Sequence, residues 1–236
     1  MQRKSHSPTT IAPLWASLAA LIAAAPAAAN PTFEYAHDDG SGFTEASLAQ
    51  YDARVTWGNA FLATDPWTTI TAVQVSFARD IGAGKPIQIG LWDDPTNDGD
   101  PSDAVLVTLA DHVVPGPTGP EQFLSFAVDP TQVSGWFFVG VIADLAQGEA
   151  AMRQDFSTLG THSWRFDNPT GVDNFDLGDA GYGGNLGDFG LGTWMVRAVA
   201  VPSPGCAALL GLGLLTTRRR RQGPDARSLM PVLTGS

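Results

Sequence analysis

The sequence predicts an all-β fold, a single antiparallel β-sandwich with jelly-roll-like connections, and three observations predict it. Apolar and polar residues alternate in short runs along most of the chain, the period of a half-buried strand. The 26 glycines and 17 prolines punctuate those runs at the spacing of turns. Apart from one short segment, the body of the chain lacks the 3.6-residue apolar spacing of an amphipathic helix.

The exception comes first in the chain. In TEASLAQYDA, Thr44 is placed to cap a short helix. ARVTWGNAFLA then reads as one long strand or as a hairpin arm turning at Gly58. ITAVQVSFAR puts Val73, Val75 and Phe77 on one face and Gln74 and Ser76 on the other. PIQIGLWDD does the same with Ile87, Ile89 and Leu91, and DAVLVTLAD with Val105, Val107 and Leu109. EQFLSFAVDP alternates through Leu124, Phe126 and Val128 and is expected to stop at Pro130, which has no N–H for a ladder. GWFFVGVIAD is apolar on both faces, so Trp136–Ala143 reads as a central strand. THSWRFDN and GTWMVRAVA complete the set, the latter with either Trp194 and Val196 or Met195 and Val199 inward. The total is roughly eight to ten strands, the number a sandwich needs.

A chain of 236 residues accommodates one well-buried domain plus flanking segments. Its charge is unevenly placed. Between Asn30 and Pro204 lie 23 of the 24 acidic residues, against only six of the 13 basic ones: Arg54, Arg79, Lys85, Arg153, Arg165 and Arg197. Such a surface repels polyanions, which excludes nucleic-acid binding, and it suits divalent cations. The single cysteine, Cys206, has no partner for an internal disulfide and falls beyond the expected domain.

Both ends read as sorting segments. Arg3 and Lys4, the apolar run Leu14–Ala25 and Ala27-Ala28-Ala29 form a signal peptide, 1–29, cut before Asn30. At the other end, Val201-Pro202-Ser203-Pro204-Gly205 leads into an uncharged run that stops at four arginines, Arg218, Arg219, Arg220 and Arg221. The run is shorter than the roughly 20 residues of a comfortable membrane span. The arginines would hold its far end on the cytoplasmic side, while a core helix with a basic tail is the other reading.

Proline motif, apolar run and arginine cluster together resemble the C-terminal sorting signal of the PEP-CTERM class, on Val201, Pro202, Pro204, Gly205 and Arg218–Arg221. Ser203 stands where an acidic residue is usual, and a tail, Gln222–Ser236, follows the arginines. The resemblance implies an exported bacterial protein, inserted transiently in the inner membrane. An exosortase-type membrane protease would handle it, and it would end at the cell surface or outside the cell. The expected organisation is a signal peptide at 1–29, a sandwich domain at 30–200, a sorting signal at 201–221 and a disordered tail at 222–236.

The body also resembles a loosely defined set of β-sandwich domains in secreted bacterial surface proteins. The matching pieces are His37-Asp38-Asp39-Gly40, Trp92-Asp93-Asp94, Phe138-Val139-Gly140, Ser163-Trp164 and Met195-Val196-Arg197-Ala198. That resemblance implies a fold and a surface setting, not an activity.

Chemistry is sparse. The turn DDPTNDGDPSD crowds Asp94, Asp98, Asp100 and Asp103 as candidate ligands for weak calcium binding. A solvated turn, where these residue types serve the backbone, is the other reading. Val105 stands where an EF-hand needs a glutamate. The stretch Asp167–Gly192, with Asp173, Asp176, Asp179 and Asp188, reads as a long irregular surface loop. His37, His112 and His162 are dispersed, no nucleophile elbow is present, and the glutamates form no glycosidase-like pair, so no enzyme is expected. Six tryptophans lie in the body. Trp67, beside Pro66, and Trp92, on the polar side of its strand, are the two expected to be exposed and able to stack on sugar rings. The expected function is a structural or adhesive surface or matrix protein, with a polysaccharide-binding module as the alternative and an unrecognised hydrolase as a remote one.

Overall fold

The computed structural model describes residues 31–203, apart from 42, 48–51, 80, 117–118, 120–121, 171 and 174. The signal-peptide segment, Pro204, Gly205, Arg218–Arg221 and the tail lie outside the described residues. Among the described residues thirteen strands follow one another: β1 (Phe33–Tyr35), β2 (Phe43–Ser47), β3 (Ala53–Leu62), β4 (Thr69–Val75), β5 (Pro86–Asp93), β6 (Val105–Val113) and β7 (Leu124–Gln132), then β8 (Trp136–Leu145), β9 (Ala150–Leu159), β10 (Ser163–Pro169), β11 (Tyr182–Asn185), β12 (Gly192–Trp194) and β13 (Val196–Val201). Among the described residues the only helical pieces are 3-10 turns at Pro101–Asp103 and Leu186–Phe189. No helix among them is long and apolar enough to cross a membrane.

Pairing is antiparallel, in sheets ordered β1-β13-β4-β7, β11-β10-β3-β8-β5-β6 and β12-β9-β2. The four- and six-stranded sheets share one apolar core, a sandwich-like arrangement. Val73 and Val75 of β4, Val196 and Ala198 of β13 and Phe126 of β7 meet Val55, Trp57 and Phe61 of β3, Ile89 and Leu91 of β5 and Val141 of β8. Each large side chain fully buried there contributes roughly 1.5–3 kcal/mol. The expected inward faces of β4, β5 and β7 are those observed, and β8 is central, between β3 and β5.

Four expectations are corrected. Residues Phe43–Ser47 form strand β2 rather than the start of a helix, because they pair with β9, a partner more than 100 residues away in the chain. On β6 the faces are reversed: Val105, Val107 and Leu109 are exposed. β6 is an edge strand whose other face meets β7, where Thr108 contacts Thr131 at 2.6 Å and His112 Nε2 lies 2.8 Å from Ala127 O. Pro130 does not end β7; the strand runs on to Gln132 past an irregularity in its pairing, tolerated because β7 is also an edge. The GTWMVRAVA run is two strands, divided at the fully buried Met195, while Trp194 and Val196 point inward as the first of the two expected alternatives has them.

The division has a physical cause in Asn59, buried on β3. Its Nδ2 donates to Trp194 O (2.9 Å) and Val196 O (2.7 Å), and its Oδ1 accepts from Ser163 Oγ at 2.6 Å. Ser163 Oγ in turn accepts from Trp194 N. Every side-chain group of the pair thus finds a partner, as a buried polar network must if it is not to destabilise the core. The kinked strand leaves Met195 to donate to Arg153 O on β9 and to accept from Ser76 N, which joins the small sheet to the four-stranded one.

The outer face of the six-stranded sheet carries a second core. Gly58, Gly140 and Gly90 stand opposite one another on β3, β8 and β5. This row leaves room for the Trp92 indole: a Cβ on Gly90 would run into its ring, and one on Gly140 would sit 2.9 Å from Phe138 Cε1. Trp92, Phe138, Ile142, Phe166 and Leu177 pack there with Phe175 and Trp136. The stretch expected to be wholly irregular supplies the cover, and it also contains β11.

Candidate functional site

The acidic turn between β5 and β6 is built from its backbone outward. Asn97 (φ 57°) and Gly99 (φ 82°) take left-handed conformations. Asp94 is buried and stabilises them: Oδ1 accepts from Asn97 N (2.7 Å) and Thr96 Oγ1 (3.0 Å), and Oδ2 accepts from Gly99 N (2.8 Å). The Asn97 amide oxygen accepts from Trp136 N, and Asp94 N donates to Trp136 O, so the turn is pinned to the start of β8. Of the four candidate ligands, Asp94, Asp98 and Asp103 each offer one oxygen within 4.8 Å of the others. Asp100 does not join them; its carboxylate caps the 3-10 turn by accepting from Ser102 N. Asp94, the inner member, accepts three hydrogen bonds from the turn itself.

Of the two candidate sugar-binding tryptophans, Trp92 is placed otherwise than expected. Trp92 is fully buried, and its Nε1 donates to Phe175 O at 2.8 Å. The polar side of its strand is covered by the Gly-rich stretch, so no ring face is left for a sugar. Trp67 is half-buried against the main core, and Phe33 stacks on it at 5.9 Å. The structure brings these two residues to separate places, Trp67 in the β3–β4 turn and Trp92 on the outer face of β5.

Two sets of residues that looked unrelated in the sequence do meet. Asp38, with its side chain fully buried, receives both Nε (3.0 and 3.1 Å) and Nη2 of Arg197. Glu34 takes Nη1, and the guanidinium lies 4.0 Å from the centre of the Phe123 ring. Burial works against the Arg197 charge, but Asp38 and Glu34 outweigh it and raise its pKa. Likewise His37 stacks on Phe61 (4.7 Å) and His162 (5.0 Å), and the His162 ring lies tilted against Trp136 (5.1 Å). Burial lowers the His37 pKa, with the neighbouring His162 adding to the effect. Elsewhere, burial raises the pKa of Asp167 although Arg165 pairs with it across 2.6 and 2.8 Å.

The site with the clearest consequence is the chain's exit. Phe33 pairs with Ala200, so the first and last described strands begin and end side by side. Val201 pairs with Thr69, Pro202 is buried, and Ser203 N donates to Pro66 O at 2.9 Å. Val201 and Pro202, expected to open a sorting motif, thus belong to the folded domain. The β3–β4 turn, the acidic turn and the start of β8 cluster at this same end, linked by Ala63 N to Gly135 O and Trp136 N to Asn97.

No family model matches the chain, and no curated protein matches it. Among solved structures it is similar to the clostridial cysteine protease Cwp84 after propeptide cleavage. The identity is 13% and the TM-score 0.42, over 73% of this chain and 40% of that one, so this chain spans well under half of that protein's length.

Proposed function

We propose that the chain is an exported surface or matrix protein with a non-catalytic, structural or adhesive role. Its jelly-roll-like sandwich is flanked by a signal peptide and by a C-terminal sorting segment. The segment inserts transiently in the inner membrane and is handled by an exosortase-type protease. The observation that supports this best is the pairing of Phe33 with Ala200, with Val201–Ser203 seated beside Thr69 and Pro66. Both sorting segments leave the domain from one end, so a chain held through either one presents its opposite end outward. The strongly acidic body, with 23 acidic residues against six basic ones, keeps such a domain soluble and away from anionic lipid.

The experiment is fractionation of cells producing the full chain, with recovery followed in the cytoplasm, inner membrane, surface matrix and medium. Recovery in the matrix or medium, with a transient inner-membrane population, supports the reading. Recovery only in the cytoplasm overturns it.

A further inference from the structure

The end of the sandwich opposite the chain's exit carries a groove of about 560 Å³ on the six-stranded sheet. That volume lies inside the roughly 300–1,000 Å³ of small-ligand clefts. Its rim is a row of planar polar side chains crossing the sheet. Arg54 Nη2 on β3 donates to Gln88 Oε1 on β5 (2.9 Å), and Gln88 Nε2 donates to Asp111 Oδ1 on β6 (2.8 Å). Asp144 on β8 stands 4.0 Å from Arg54 Nε. Ile142, Pro86 and Val113 supply the apolar part of the lining, with Val113 57% exposed. Arg54 lies eight residues back along β3 from Leu62 at the exit end, a separation of about 26 Å along an extended strand.

We propose that this groove binds a neutral polysaccharide chain through Arg54, Gln88, Asp111 and Asp144. Guanidinium, amide and carboxylate groups fixed in a row offer donors and acceptors alternately, the pattern that paired sugar hydroxyls satisfy with two hydrogen bonds per group. The aliphatic lining meets the C–H face of a sugar ring. Asp111 and Asp144 in the lining outnumber Arg54, whose Nη1 also faces Asp173 at 3.7 Å just outside it, so a uronate or sulfated polymer would be repelled. Gln88 and Asp111 already hold each other in place, which lowers the ordering cost of binding. The inference gives the adhesive part of the proposed function a ligand class and a site. It is tested separately from sorting: intact mass decides the one, binding the other.

The test is affinity electrophoresis of the full chain through gels containing hydroxyethyl cellulose, laminarin or dextran, with alginate as the polyanionic control. Retardation by at least one neutral polymer and none by alginate is expected. Asp111→Ala and Gln88→Ala should each weaken retardation about tenfold, the effect of losing one or two polar contacts to ligand. Asp111 is exposed and Gln88 half-buried, and a thermal melt of each variant checks that the fold persists. Asp144→Ala serves as a third variant should either fail to fold. Trp67→Ala should bind as the unaltered chain does. No retardation by any neutral polymer, equal retardation by alginate, or loss with Trp67→Ala but not with the groove variants would overturn the proposal.

Discussion

Asp38 and Arg197 stand 159 residues apart in the chain and form a near-buried ion pair, the carboxylate fully enclosed and the guanidinium 17% exposed. The pair fastens the segment after β1 to β13, and Gly40 (φ 78°) approaches so closely that a Cβ there would meet Arg197 Nη2 at 3.2 Å. It joins two of the short sequence pieces that mark the resemblance to secreted surface domains, His37-Asp38-Asp39-Gly40 and Met195-Val196-Arg197-Ala198.

Removing one partner strands the other. Asp38→Ala should destabilise the domain by about 3 kcal/mol, because Arg197 then keeps only the half-exposed Glu34 as a counter-charge in a mostly buried setting. Combining it with Arg197→Met should recover part of the loss. Chemical denaturation followed by tryptophan fluorescence measures both, and a cost below 1 kcal/mol for Asp38→Ala would make the pair incidental.

The glycine row on the outer face makes a second expectation. Gly90→Ala places a methyl group against the Trp92 ring and should cost about 1–3 kcal/mol, as overpacking does. Gly82, whose Cβ would meet nothing within 4 Å, is the matched control. Equal melting temperatures for the two alanine variants would contradict the placement of Trp92.

A pH dependence follows from His37. Its pKa is lowered by burial below the ordinary 6.5, so the unfolded chain binds the proton more readily than the folded one. The stabilisation is fully present above pH 6.5 and declines as pH falls below it, towards the lower folded value. His37→Gln, which keeps a donor for Ala60 O, should flatten the decline in melting temperature between pH 7.5 and about 5.5. An unchanged slope in the variant would assign the effect to another group.

The acidic turn is expected to behave as a turn. Asp94→Ala leaves Gly99 N and the Thr96 hydroxyl without their acceptor, and Asn97 N with the Asp94 backbone carbonyl alone, and should cost about 2 kcal/mol. Millimolar calcium should leave the melting temperature of the unaltered chain where it was. A rise of several degrees that Asp103→Asn abolishes would instead make Asp94, Asp98 and Asp103 a cation site.

What could be read from the residues was local. The inward faces of β4, β5 and β7 follow from alternation alone, and β8 is central because both its faces are apolar. Three features depend on partners far away in the chain. The Phe43–Ser47 segment becomes a strand because β9 pairs with it. The apolar side of β6 turns outward because β7 takes the other side. Trp92 disappears from the surface because Phe175 and Leu177 cover it. Gly58, Gly90 and Gly140 were visible in the sequence, but they form a row only once the register of β3, β5 and β8 is known. The same holds for the Arg54–Gln88–Asp111 row, whose members are scattered through three unremarkable strands.

The most direct test of the sorting account is the intact mass of the protein recovered from the cell surface and the medium. The account predicts a chain beginning at Asn30 and ending beyond Ser203, since Val201–Ser203 is held by Thr69 and Pro66, and before Arg218. A surface or secreted chain that still carries Arg218–Arg221, or residues 1–29, would contradict it.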